Sequence, residues 1–546
     1  MVGTTSIPIR IASAGSRIRY FVEALLAIIL LTIPSWTRAG VKTAASTGFN
    51  DVAATVSSAK DGDTVVLPAG TTSWTSTLTI KKAITLQGAG VGQTIIKDDL
   101  LTKNAHLISI TTSAGKCYRL TGLEFQPGTR TTVFTSGMIS VTGNSTSFRI
   151  DNCKFDILNN VPYFYFAGAV CGVVDHCTFI RGASQGGGCF KFYHDAWDKK
   201  KWGDGSWANP VDWGGPNAIY IEDCTFTNVL TSATRGISDA HGGARWVFRH
   251  NTCTNIKVEV NHGTESTGRM RGGRSVEIYD NTFTGTHPAS NLFNQRSGTG
   301  VCFNNISTGY SHSAWYTATN YRDDGYYSFN RYPGWQGANG LSGWDINDTT
   351  GGPNHDGVYL TGTASGGSGT GILNVSGANW TPNQWKSYVV RNTDAGYTDG
   401  NGVTWSDYFA TIASNTTDTI TVDAGAFKIL SFNPGDHFEI RKVIQALDTI
   451  GASTGDLLSG GKPSPTNLHQ TMEPIYCWNN TVDGVPATVV GTTSNVVEGV
   501  NYINGTAKPG YTPYVYPHPL VTGVPSPPKT LKPAAPKSQG RRQNVR

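Results

Sequence analysis

A six-residue string recurs along the middle of the chain: apolar, any, Asn/Asp/His, Cys/Asn, any, apolar. It reads IDNCKF at 150–155, VDHCTF at 174–179, IEDCTF at 221–226, FRHNTC at 248–253, IYDNTF at 278–283 and CWNNTV at 477–482. Looser copies are LTGLEF at 120–125, FNNIST at 303–308 and FNRYPG at 329–334. From 120 to 329 the copies start 30, 24, 47, 27, 30, 25 and 26 residues apart. A strand and a turn repeated with a period in the twenties is a solenoid signature. The step of 47 reads as one ordinary coil carrying an insertion, HDAWDKKKWGDGSWANPVDW at 194–213.

The pattern predicts an all-β chain, a right-handed parallel β-helix over 40–356. Coils stack about 4.8 Å apart, so equivalent positions form ladders, with Ile, Val and Phe inside. Asn at the turn can hydrogen-bond along its own ladder. Cys153, Cys177 and Cys224 share that slot with Asn251, Asn281 and Asn480, which argues for a packed turn and against redox chemistry. Phe49, Val52, Ala53, Val56 and Ala59 lie at helical spacing, predicting a capping helix over 49–60. Residues 357–440 lose the rhythm and read as an inserted module of short strands. The last coils and a closing segment follow over 441–525, and 526–546 is a Pro/Lys-rich tail with nothing to bury.

Composition agrees with β structure: 65 Gly and 15% charged residues suit turns and strands better than helices. Fourteen Trp and 22 Tyr mildly favour a sugar ligand, because flat rings stack on pyranose faces. Residues 1–39 resemble an export signal, with Arg10, Arg17 and Arg19 before the apolar run Ala24–Ile33 and small residues near Ala39. Ten apolar residues fall short of the roughly 20 that span a bilayer. A protein that is secreted, periplasmic or on the cell surface is expected, with no membrane span after processing; an uncleaved anchor is the alternative. The leader holds four Arg and one Glu, and the tail three Lys and three Arg, so the formal +5 leaves the body at −4. Such a body offers no general attraction to nucleic acid. Nine cysteines show no metal-ligand spacing.

The stretches AATVSSAKDGDTVVLPAG (53–70) and ITLQGAG (84–90), with the ending YINGT…KPGYTPY…YPHPL (502–520), resemble bacterial secreted right-handed β-helix proteins of the pectate-lyase superfamily. The likeness covers about 45–345 and 440–520. It implies the fold, and a carbohydrate ligand in general terms. VVDHCTF (173–179) is similar to a pectate-lyase stretch whose Asp lies near a calcium groove; here no Trp precedes Asp175 and no RxPxxR is present.

Counting back from the apolar residue that opens each coil, Phe248, Ile278, Phe303 and Phe329, aligns His241, Arg271, Arg296 and Arg322 in one row. A second row holds Asp239, Arg269, Asn294 and Asn320. Residues two apart share a strand face, so both rows are expected to face outward. Stacked arginines about 4.8 Å apart repel by roughly 3–4 kcal/mol, so they call either for acids beside them or for an anionic polymer. Arg suits planar carboxylates. His241 and His262 are the candidate bases, Arg271 and Arg296 the cations that neutralise a uronate, and Glu265, Arg322 and Tyr326 further substrate contacts. Three functions follow. The first is a polysaccharide lyase acting by β-elimination, with no cofactor needed where Arg neutralises the carboxylate and calcium as the substitute. The second is a glycoside hydrolase using two carboxyls among Asp239, Glu265, Asp323 and Asp324. The third is a non-catalytic sugar-binding surface protein. The expected partner is an acidic polysaccharide, and the expected state a monomer.

Overall fold

The computed structural model describes residues 39–102, 105–129, 138–157, 164–182, 189–199, 203–229, 235–259, 261, 271–286, 292–310, 316–318, 358–386, 388–395, 397–398, 404–405, 410–422, 430–441, 450–455, 470–492 and 496–523. The stretch read as an export leader (all but residue 39) and the basic tail lie outside them.

Among the described residues the chain is nearly all β, and most strands are parallel. From Val41 to Ala318 it visits three walls in rotation, each strand hydrogen-bonding to its counterpart one circuit earlier. The first wall is a twelve-stranded sheet, the second an eleven-stranded sheet. The third comprises a parallel six-stranded sheet, then a five-stranded one. One hydrophobic core takes residues from all of them. A helix at Phe49–Ser58 sends Val52 and Val56 into that core.

The recurring string is the junction between the first wall and the second. Its opening apolar residue and its closing one both point inward, as Ile150 and Phe155 do. Its third residue takes a left-handed conformation every time: φ is 50° at Asn152, 51° at His176, 54° at Asp223, 54° at His250, 55° at Asp280 and 52° at Asn479. Short polar side chains tolerate that region better than others. The fourth residue fills the corner. Asn251 donates to Asn281 at 3.0 Å, Asn281 to Asn305 at 2.9 Å and Asn305 to Asn480 at 2.8 Å. Below them Cys153, Cys177 and Cys224 are buried and reduced, and burial pushes the Cys153 and Cys177 thiols up. Phenylalanines stack beyond the corner, Phe125 on Phe155, Phe155 on Phe179 and Phe179 on Phe226, at 4.7–5.2 Å.

One register differs from expectation. Ile278 pairs with Cys302, and Tyr279 with Phe303. The repeat there opens at Cys302, and Phe303 points outward.

Strands from Val358–Thr363 to His437–Arg441 form an antiparallel six-stranded sheet with its own core, including Trp380, Trp385, Val390 and Phe438. The chain then rejoins the parallel walls at Ile475–Trp478, Thr481–Val482 and Val489–Gly491. The closing segment, residues 508–522, runs back across the outer face of the twelve-stranded sheet. Arg249 donates to Tyr514 O (2.7 Å) and Val515 O (3.0 Å), Tyr511 Oη to Glu277 (2.6 Å), and Arg149 to Leu520 O (3.2 Å).

Candidate functional site

Alternation along Phe190–Tyr193 sends Phe190 and Phe192 into the core and Lys191 and Tyr193 to the opposite face. The same parity on the neighbouring strands places Tyr165 beside Lys191, Lys191 beside Asp239, and Tyr193 beside His241. Further back the rows continue as Ser140 and Ser109, then Thr142 and Thr111. The outer face of the six-stranded sheet is thus a floor of small hydroxyl residues that rises to a cluster of titratable groups.

His241 Nε2 lies 2.5 Å from Asp239 Oδ1, and Lys191 Nζ lies 3.5 Å from Asp239 Oδ2. His241 itself is buried, at 3% exposure. Its ring stacks on Tyr193 at 5.7 Å; Tyr193 packs on Tyr165 at 5.2 Å, and Tyr165 on His106 at 5.6 Å. Burial, then the Asp239 carboxylate, pushes the Tyr193 phenol up. Burial and Asp195 do the same to Tyr165. Both stay protonated at neutral pH and can donate. Burial also raises Asp195, although its carboxylate accepts the Gly168 N–H at 2.7 Å.

The insertion braces this site from behind. Gly242 and Gly243, directly after His241, have φ of 56° and 73°. A Cβ on Gly243 would fall 2.6 Å from Ser206 Cβ, so the inserted loop sits against bare backbone. Trp207 Nε1 donates to Gly272 O at 2.9 Å, and Gly272 bridges to His241.

Of the expected arginine file, Arg271 and Arg296 fall among the described residues. Arg271 is fully buried, at 0% exposure, and its backbone carbonyl takes the Gly242 N–H at 2.6 Å. Asn294 belongs to the five-stranded sheet, opposite Glu259 and Thr317, whereas Asp239 belongs to the six-stranded sheet. Arg296 follows that strand, with its N–H on Asn261 O at 2.8 Å. His241 and Asp239 are brought together; Arg271 is buried, and Asn294 and Arg296 follow on the five-stranded part of the same wall, each half-buried. His262, Glu265, Arg269, Asn320, Arg322 and Tyr326 lie outside the described residues, as do Asp323 and Asp324. Lys191, Tyr193 and Tyr165 were missed, although the alternation in FYF (164–166) and FKFY (190–193) marks them as outward.

Asp175 does not fit a calcium groove. Arg149 holds it through two hydrogen bonds (2.9 and 2.8 Å), His176 sits at 2.9 Å, and the closing segment covers Arg149.

No protein-family model matches the chain, and no curated protein matches it. Among solved structures, an alginate lyase from Paenibacillus sp. str. FPU-7 aligns at 13% identity and a TM-score of 0.32, over 49% of this chain and 95% of that one. Geobacillus virus E2 ORF18 aligns at 13% identity and a TM-score of 0.25, over 54% of this chain and 59% of that one. Likenesses at these scores carry no weight for fold or chemistry.

Proposed function

We propose that the three walls close as a right-handed parallel β-helix and that the protein, exported as a monomer, cleaves a uronic-acid-containing polysaccharide by β-elimination. The observation that carries this reading is the Lys191–Asp239–His241 constellation, with Tyr193 stacked on it, at the end of a floor of small hydroxyl residues.

Elimination needs three things: a cation on the uronate carboxylate, a base for the C5 proton, and an acid for the departing O4. Lys191 neutralises the carboxylate, which lowers the cost of charge developing at C5. His241, paired with Asp239, takes the C5 proton. The electrons of the C5–H bond become the C4=C5 double bond, the C4–O4 bond breaks, and the Tyr193 or Tyr165 phenol protonates O4. Lys191 takes the place first assigned to Arg271 and Arg296.

A hydrolase is the second reading, favoured by Asp195. Its raised carboxyl suits a general acid, and Asp239 would be the base.

Incubating the purified chain with a panel of acidic and neutral polysaccharides separates the readings. Ultraviolet absorbance from an unsaturated uronate together with new reducing ends marks a lyase; reducing ends alone mark a hydrolase. For the lyase, His241→Ala is expected to cut turnover about 10²–10⁴-fold with unchanged circular dichroism. Full activity in that variant, or no absorbance on any uronate polymer, removes the proposal. An EDTA arm reads calcium dependence.

A further inference from the structure

We propose that the corner where the inserted loop meets the twelve-stranded sheet binds a chloride-sized monovalent anion against Arg274, independently of the catalytic reading above. Arg274 is 1% exposed. Its Nη2 donates to Glu473 Oε2 at 2.8 Å and to Ser453 Oγ at 3.2 Å. Its Nε and Nη1 are both buried with no hydrogen-bond partner. Buried guanidinium nitrogens rarely stand unpaired, because desolvated donors need an acceptor.

The surroundings add positive charge and little to balance it. Arg245, 3% exposed, is held by neutral oxygens: Ser206 Oγ (2.9 Å), Ser206 O (2.6 Å), Asn209 O (2.9 Å) and Pro210 O (2.8 Å). It lies 4.7 Å over the Trp197 ring, as Arg274 lies 5.1 Å over Trp207. Lys508 sits 4.9 Å over Trp213 and 5.0 Å over Tyr476. Against these three cations stand Glu473, which also accepts from Trp213 Nε1 at 3.0 Å, and Asp212 farther off. One positive charge is left over, which one monovalent anion neutralises while accepting from Arg274. Arg274 and Arg245 are both removed from bulk solvent, where a charge pair is stronger than in water.

The test uses the full chain, dialysed into sodium gluconate and titrated with sodium chloride or bromide at constant ionic strength. A ligand bound only by the folded state raises Tm in a saturable way. For a chain of this size the rise is about 2–3 °C at a hundredfold excess over Kd. Arg274→Met is expected to abolish the response. Should that variant fail to fold, Lys508→Gln, which removes the excess charge, is expected to weaken the halide midpoint several-fold. Crystals grown in bromide should show an anomalous peak beside Arg274. A Tm indifferent to halide at fixed ionic strength assigns the two nitrogens to water and overturns the proposal, as does an unchanged response in Arg274→Met or in Lys508→Gln.

Discussion

At the scale of single residues, the corner ladder does two jobs with one side chain. Asn281 accepts from the backbone N–H and the amide of Asn251, at 2.9 and 3.0 Å, and donates to Phe248 O and Tyr279 O at 2.9 Å. It therefore satisfies polar groups of both neighbouring circuits in a dry corner. Asn281→Ala removes these bonds, although the Asn251 amide keeps Ile221 O and Tyr279 O keeps the His250 N–H; the cost is expected at about 2–4 kcal/mol, read as a lower urea midpoint at unchanged slope. Asn281→Cys should cost less. A thiol of similar bulk fills the equivalent corner at 153, 177 and 224, where Cys224 Sγ meets Glu222 O at 3.2 Å. Equal losses for the two variants would mean that filling the corner contributes nothing.

At the scale of elements, the inserted loop explains why His241 can be aimed at all. Its strand is the last of the six-stranded sheet, so a neighbouring strand holds it on one side only among the described residues. The Gly203–Gly243 approach and the Trp207–Gly272 hydrogen bond brace the turn that follows it. Gly243→Ala puts a Cβ into Ser206 and strains a φ of 73°. The expected result is at least a tenfold loss of turnover and faster proteolysis within 194–217, with circular dichroism unchanged; activity at the wild-type level would show that the loop does not position His241. The strand alternation that reveals Lys191 and Tyr193 was legible in the sequence because Phe190 and Phe192, which alternate with them, go to the core. The slip at Cys302–Phe303 came from the reverse condition. Phe303 is apolar and yet outward, stacked on Tyr279 at 4.7 Å and Trp478 at 4.4 Å beneath the closing segment. Where a second layer covers a sheet, both faces are apolar and parity along the string ceases to tell inside from outside. Arg271 was misread for a related reason: a charged residue was assigned to solvent, and this one is buried.

At the scale of the whole molecule, two layers that cover the walls each rest on a histidine kept neutral. His194 roots the inserted loop: it accepts the Arg245 N–H on Nδ1 at 2.9 Å and meets Val170 O through Nε2 at 2.8 Å. His518 lies in the closing segment, where its Nδ1 accepts the Leu520 N–H at 3.2 Å and Arg249 and Arg149 stand nearby. Burial, aided by those arginines, lowers His518 to about 3; burial and Arg245 lower His194 to about 4. An unfolded histidine binds its proton near pH 6.5. Between that value and the lowered ones the unfolded chain holds more protons than the folded one, so stability is intact above about pH 6.5 and falls as the solution is acidified. Each group contributes on the order of 3–5 kcal/mol by the time both forms are protonated. Glu222 and Glu277, raised by burial, act in the opposite direction over part of the same range, so the total slope does not isolate the histidines. The difference between wild type and His518→Gln does, because glutamine cannot take up the proton. Lifting the closing segment alone costs less than unfolding the walls beneath it, and local opening takes the cheapest route. Protection factors for hydrogen exchange, referred to the intrinsic rate at each pH, are therefore expected to fall within 508–522 between pH 6 and 4 in the wild type while those of the twelve-stranded sheet hold, and to change far less in His518→Gln. An equal fall in protection in both proteins would show that the closing segment is released by something other than this ring.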